Sequence, residues 1–113
     1  AVFRALDTRL QRQVALKVLP LEPSDEVEVV QRFYQEGRAA ARLDHENIAR
    51  VHAIGHDRGY HFIVFEFIEG TTIRQLVDER GTLPIGEAVH YALQVAQALI
   101  HAAERGVVHR DLK

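Results

Sequence analysis

Four charged side chains in this chain stand in patterns that could do chemistry. Lys17 closes the run Val14-Ala15-Leu16-Lys17, which the β-branched content and the following Pro20 mark as a strand. Ala15 and Lys17, two residues apart, share one face of such a strand. A Lys on an inward face is costly unless an anion meets it, and phosphate oxygens or a carboxylate would serve. Glu36, on the next element, offers a carboxylate. Near the other end, His109-Arg110-Asp111-Leu112-Lys113 sets an acid able to receive a proton two residues before a cation able to neutralise an anion. Each has a bland reading: an edge-strand Lys, a solvated helix Glu, a loop Asp that caps a turn.

The elements that must position these groups follow from periodicity. Ala1 to Leu6 and Gln13 to Leu19 read as a hairpin about the polar turn Asp7-Thr8-Arg9. Ser24 or Asp25 offers a cap for a helix in which Val27, Val30, Phe33, Gly37 and Ala40 recur at helical steps, ending near Leu43. Gly37 costs about 1 kcal/mol relative to Ala inside a helix, so it is expected to allow close packing. Glu36 falls three residues after Phe33 and four before Ala40, within that stripe, whereas Glu28 lies more than a turn away. Ile48 to Ile54 and His61 to Ile68 read as strands joined through Asp57-Arg58-Gly59. Thr72 to Glu79 is expected to be a short helix. Pro84 should start a long one to Arg105, burying Ala88, Ala92, Val95, Leu99 and Ala102 and ending at Gly106, with a short strand at Val107-Val108. Strands with one helix, followed by helices, make an α+β chain in two parts, 1–70 and 71–113, divided near Glu69-Gly70.

In that order and spacing, Val14-Ala15-Leu16-Lys17, Glu36, Leu43-Asp44-His45-Glu46-Asn47 and His109-Arg110-Asp111-Leu112-Lys113 resemble the N-terminal part of a Ser/Thr protein kinase domain. Glu46 stands where the family more often has Pro. The stretch Phe62 to Ile73 resembles the bacterial, eukaryotic-like members. The resemblance covers the whole chain, from just after the glycine-rich loop into the catalytic loop. It implies a protein-kinase-like fold: an antiparallel β N-lobe with one helix, then the first helices of an α-rich C-lobe. It also implies that the parent protein transfers the ATP γ-phosphate to Ser or Thr hydroxyls of proteins, with Lys17 on the α- and β-phosphates and paired to Glu36. Asp111 would orient the hydroxyl and take its proton, and Lys113 would touch the γ-phosphate. Arg110 would be available to a phosphorylated activation loop, and His109 would pack and hydrogen-bond. Phe65-Glu66-Phe67-Ile68-Glu69-Gly70 would be the hinge, with Phe65 as gatekeeper. The Glu66 carbonyl and the Ile68 main chain would face the adenine, Val2 and Ala15 would roof it, and Ile73 would pack below. Mg²⁺ is implied too, held by an Asn and an Asp expected beyond Lys113.

Composition agrees and excludes other classes. With 47% hydrophobic and 27% charged residues the chain is ordinary globular material, and a net charge of −2 gives no case for nucleic acid. Zero Cys removes disulfides and thiolate chemistry. The longest apolar run, Phe62 to Phe65, is far too short to span a bilayer, so no membrane contact is expected within this segment and a cytoplasmic kinase domain is expected. His52 and His56 have a metal spacing only if helical, and they read as strand, so no metal site is expected. With no Met, and with both ends inside motifs, the chain is expected to be a segment of a longer protein and inactive alone. Two rivals carry the same fold. A pseudokinase or nucleotide-binding scaffold usually lacks the strand Lys or the catalytic Asp, both present here. A small-molecule phosphotransferase usually shows His-Gly-Asp, where this chain has Arg110.

Overall fold

The computed structural model describes residues 2–20 and 27–107. The cap expected at Ser24 or Asp25 and the segment Val108 to Lys113, which includes Asp111 and Lys113, lie outside them. Its contacts divide the chain into two compact units, Ala1–Phe67 and Ile68–Lys113.

The first unit is a four-stranded antiparallel sheet with one helix. Strands β1 (Val2–Asp7), β2 (Arg12–Pro20), β3 (Val51–Asp57) and β4 (Tyr60–Glu66) run in the spatial order β1-β2-β4-β3. The β1–β2 turn is held from within: Asp7 Oδ1 accepts the main-chain N–H groups of Arg9 and Leu10, a carboxylate mimicking a backbone turn. Arg58 and Gly59, both at positive φ, close the β3–β4 hairpin, the conformation a two-residue connection favours. A register shift between Val51 and Ala53 places a bulge at His52.

Helix α1 (Val27–Ala41) lands on the sheet through Phe33 and Gly37, its buried residues. A Cβ on Gly37 would stand 3.0 Å from Ile54 Cδ1 and 3.1 Å from Ile63 Cδ1, so the missing side chain sets how near the helix comes. Ile63, 2% exposed, is the centre of this core. The expected stripe holds at Phe33 and Gly37 but not at Val27, which is 71% exposed in the first turn. Strand β3 begins at Val51, three residues later than the apolar pattern suggests. The intervening chain turns at Ile48, whose N–H donates to the His45 carbonyl. Strand β4 ends at Glu66, so Phe67 and Ile68 leave the ladder.

In the second unit, α2 (Ile73–Arg80) is capped reciprocally. Thr72 Oγ1 accepts from Gln75 N–H, and the Gln75 side chain accepts from Thr72 N–H. Thr72 is thus the cap and not the first helical residue. Likewise Pro84 stands just before α3 (Ile85–Glu104). Gly106 ends that helix at φ +74, its N–H donating to the Ala103 carbonyl while Val107 N–H reaches Ala102. This is a glycine-terminated helix end in which orphan carbonyls are satisfied. Val107 is therefore part of the helix stop and not of a strand. Of the face expected to be buried, Ala102 is buried and Val95 half-buried, while Ala88, Ala92 and Leu99 line an open apolar groove with Tyr91.

Candidate functional site

Register decides which side chains share a surface. In the antiparallel ladders Val2 faces Lys17, Ala15 faces Phe65, and Lys17 faces Ile63. Directly opposed residues project to the same side of a sheet, so Val2, Ala15, Lys17, Ile63 and Phe65 form one face. Helix α1 packs on that same face, because Gly37 meets Ile63 and Ile54, and Ile54 is the cross-strand partner of Ile63. The opposite face carries Phe62, whose ring lies over Gly55: a Cβ there would fall 2.6 Å from Phe62 Cζ.

Lys17 is half-buried. Among the described residues it makes no ion pair, and none joins it to Glu36, which is exposed on α1. Glu36 therefore lies off the buried stripe, beside it, next to Gly37. The structure brings Lys17 and the helix carrying Glu36 to one side of the sheet without closing the pair. Arg4 and His61 share this face, and what the half-buried Lys17 ammonium group fits is an anion. Among the described residues no three His, Asp or Glu side chains stand together to hold a metal ion.

The end of β4 is fixed by both halves of Glu66. Its N–H donates to the Arg50 carbonyl at 2.7 Å, and its Oε1 accepts from Arg50 N–H at 3.1 Å. The Arg50 guanidinium in turn bonds the Asp44 carboxylate, and this hydrogen bond holds its pKa above an already high value. Phe67 follows under the Arg4 guanidinium, 5.8 Å from the ring centre, a cation–π distance. Val2, at 68% exposure, and Ile68, at 61%, are open to solvent. Ile73 begins α2 in the second unit and lines its groove.

Sequence reasoning missed a cluster between α1 and the β3–β4 hairpin. The Tyr34 hydroxyl lies 2.6 Å from His61 Nδ1 and donates to the Gly55 carbonyl at 3.3 Å. The Tyr34 ring stands edge-on to His61 and to Phe33, and His61 stacks on His56 at 4.6 Å. His56 and His61 are a cross-strand pair. No periodic signal marks these residues, because Tyr34 and His61 are 27 positions apart.

A family model for the protein kinase domain matches residues 1–113. The chain is 40% identical over 112 residues to a probable serine/threonine-protein kinase of Clostridium acetobutylicum and 35% identical to the serine/threonine-protein kinase PrkC of Bacillus subtilis. It is 41% identical to the serine/threonine-protein kinase PknL of Mycobacterium tuberculosis. Each match covers 99% of this chain, but only 17% of the first two relatives and 28% of the third. The kinase domain of M. tuberculosis PknI superposes with a TM-score of 0.82 at 33% identity, over 99% of this chain and 46% of that one.

Proposed function

The chain belongs to the protein kinase domain family, and from that premise we propose that the whole protein transfers the γ-phosphoryl group of ATP to Ser or Thr hydroxyls of protein substrates. The observation that carries the reading is the position of Lys17: half-buried, beside Ala15, on the sheet face where the helix bearing Glu36 lands.

The roles are those that the resemblance implies. Lys17 meets the α- and β-phosphates, and Glu36 swings onto it to fix the ammonium group. Val2 and Ala15 cover the base from the sheet. The Glu66 carbonyl and the Ile68 main chain offer the adenine edge its hydrogen bonds, with Phe65 limiting the depth of the pocket. The Glu66–Arg50 bonds support this by holding the strand end in place. The substrate hydroxyl oxygen then attacks the γ-phosphorus, the bond to the β-phosphate oxygen breaks, ADP leaves, and Asp111 takes the hydroxyl proton. Lys113 offsets charge on the transferring group. None of these residues is assigned to hold Mg²⁺; when bound, the ion would neutralise phosphate charge alongside Lys17 and Lys113.

Lys113 favours Ser and Thr over Tyr, and Arg110 favours proteins over small molecules. No helix among the described residues is long and apolar enough to cross a membrane. A cytoplasmic location is proposed for the kinase domain because its phosphoryl donor, ATP, is found there. A catalytically silent scaffold of the same fold is disfavoured by the presence of both Lys17 and Asp111. The test is radiolabel transfer from γ-labelled ATP to a generic protein substrate, followed by phosphoamino-acid analysis. Phosphoserine or phosphothreonine is expected. Phosphotyrosine alone, or label confined to a small molecule, would overturn the reading.

A further inference from the structure

Beside the buried Phe33, helix α1 meets the sheet at Gly37 and at Tyr34, and these two contacts differ in kind. At Gly37 the contact is apolar, against Ile54 and Ile63. Such a contact is not directional and lets a helix slide or roll by small amounts. At Tyr34, one turn earlier, the contact is a pair of hydrogen bonds to two strands: His61 of β4 at 2.6 Å and the Gly55 carbonyl of β3 at 3.3 Å. The hydroxyl has one proton. Both contacts are satisfied together only when that proton goes to the Gly55 carbonyl and His61 Nδ1–H donates to the hydroxyl oxygen. The partners are themselves held: His61 stacks on His56, and Arg38 lies over the Tyr34 ring, 5.9 Å from its centre.

Directional bonds at Tyr34 and a steric stop at Gly37 together define the helix's rotation and its position along its axis. Glu36 lies between these two points in sequence. Its backbone position relative to Lys17 is therefore set by them, since Gly37 rests on Ile63 and Ile63 opposes Lys17. We propose that Tyr34 is a positioning residue for phosphoryl transfer: its hydroxyl, clamped by His61 and Gly55, fixes helix α1 so that Glu36 can close on Lys17. This rests on the kinase reading given above.

The test uses the whole protein. Tyr34→Phe keeps the ring and its edge-on packing and removes the hydroxyl. A fall in kcat of about three- to tenfold is expected, the size of one or two net hydrogen bonds, with a melting temperature within a few degrees of wild type. His61→Phe should give the same loss. His61→Asn, whose side-chain N–H₂ occupies the place of Nδ1–H, should recover most of the rate. The deciding measurement is Tyr34→Phe in a Glu36→Ala background, which leaves no side chain at that position to reach Lys17. A residue that acts through Glu36 has nothing further to lose there, so the second substitution should leave kcat unchanged. An undiminished three- to tenfold loss in that background, or a wild-type rate in Tyr34→Phe itself, would overturn the proposal and leave the kinase reading intact. Absence of transfer by the wild-type protein would remove the kinase reading and the proposal with it.

Discussion

Gly37 rests on Ile63, and Ile63 is the residue that faces Lys17 across the β2–β4 ladder. A helix-interior glycine, a buried isoleucine and a half-buried lysine thus form one line from α1 to the candidate phosphate site. Any side chain added at Gly37 must displace the Ile54 and Ile63 methyl groups or lift the helix.

Gly37→Val is expected to destabilise the whole protein by about 1–3 kcal/mol through overpacking, read as a lower urea midpoint with an unchanged slope. The terminal methyl groups of Ile54 and Ile63 give way more easily to one carbon than to three, so Gly37→Ala should cost less. An unshifted midpoint for the Val variant would show that α1 is not held close at this position.

Lys17→Met should abolish phosphoryl transfer with little change in melting temperature, because it removes a phosphate contact from a side chain that makes no ion pair among the described residues. Glu36→Gln should be milder, since an amide can still accept a hydrogen bond from the ammonium group. Steady-state rates and thermal melts of both variants check this. Wild-type rates in both would mean that the pair is wrongly assigned.

On the other face of the sheet, Gly55→Ala should push the Phe62 ring off its seat, because the new methyl carbon would lie 2.6 Å from Phe62 Cζ. A loss of about 1–2 kcal/mol is expected. Adding Phe62→Leu should return part of it, so the two changes should couple in a double-mutant cycle. Strict additivity would contradict the packing described.

The elements that carry the candidate site were readable because they obey simple periods. Ala15 and Lys17 share a face by alternation, and the ladder with Phe65 and Ile63 confirms which face that is. Gly37, expected to allow close packing, has two Ile side chains against it. Gly106 ends α3 as its position suggested. What escaped notice depends on chain paths that no period encodes. The turn at His45 to Ile48 delays β3, and the bulge at His52 shifts its register. Glu36 reads as part of the apolar stripe by spacing alone, yet the stripe is narrow and Glu36 lies beside it. The Tyr34–His61 contact joins polar aromatic residues far apart in sequence, and neither hydrophobic pattern nor charge points to it. The apolar groove on α3 is equally instructive. Spacing identifies Ala88, Ala92 and Leu99 as one face, but not what covers it.

Asp111→Asn in the whole protein probes the proposed phosphoryl transfer at the group assigned to take the hydroxyl proton. The measurement is kcat for transfer to a protein substrate, beside nucleotide affinity measured by direct binding. A fall in kcat of at least ~10²-fold is expected with the nucleotide Kd essentially unchanged, the signature of a group that acts on the transferring centre. A wild-type kcat, or a loss of nucleotide binding equal to the loss of rate, would contradict it.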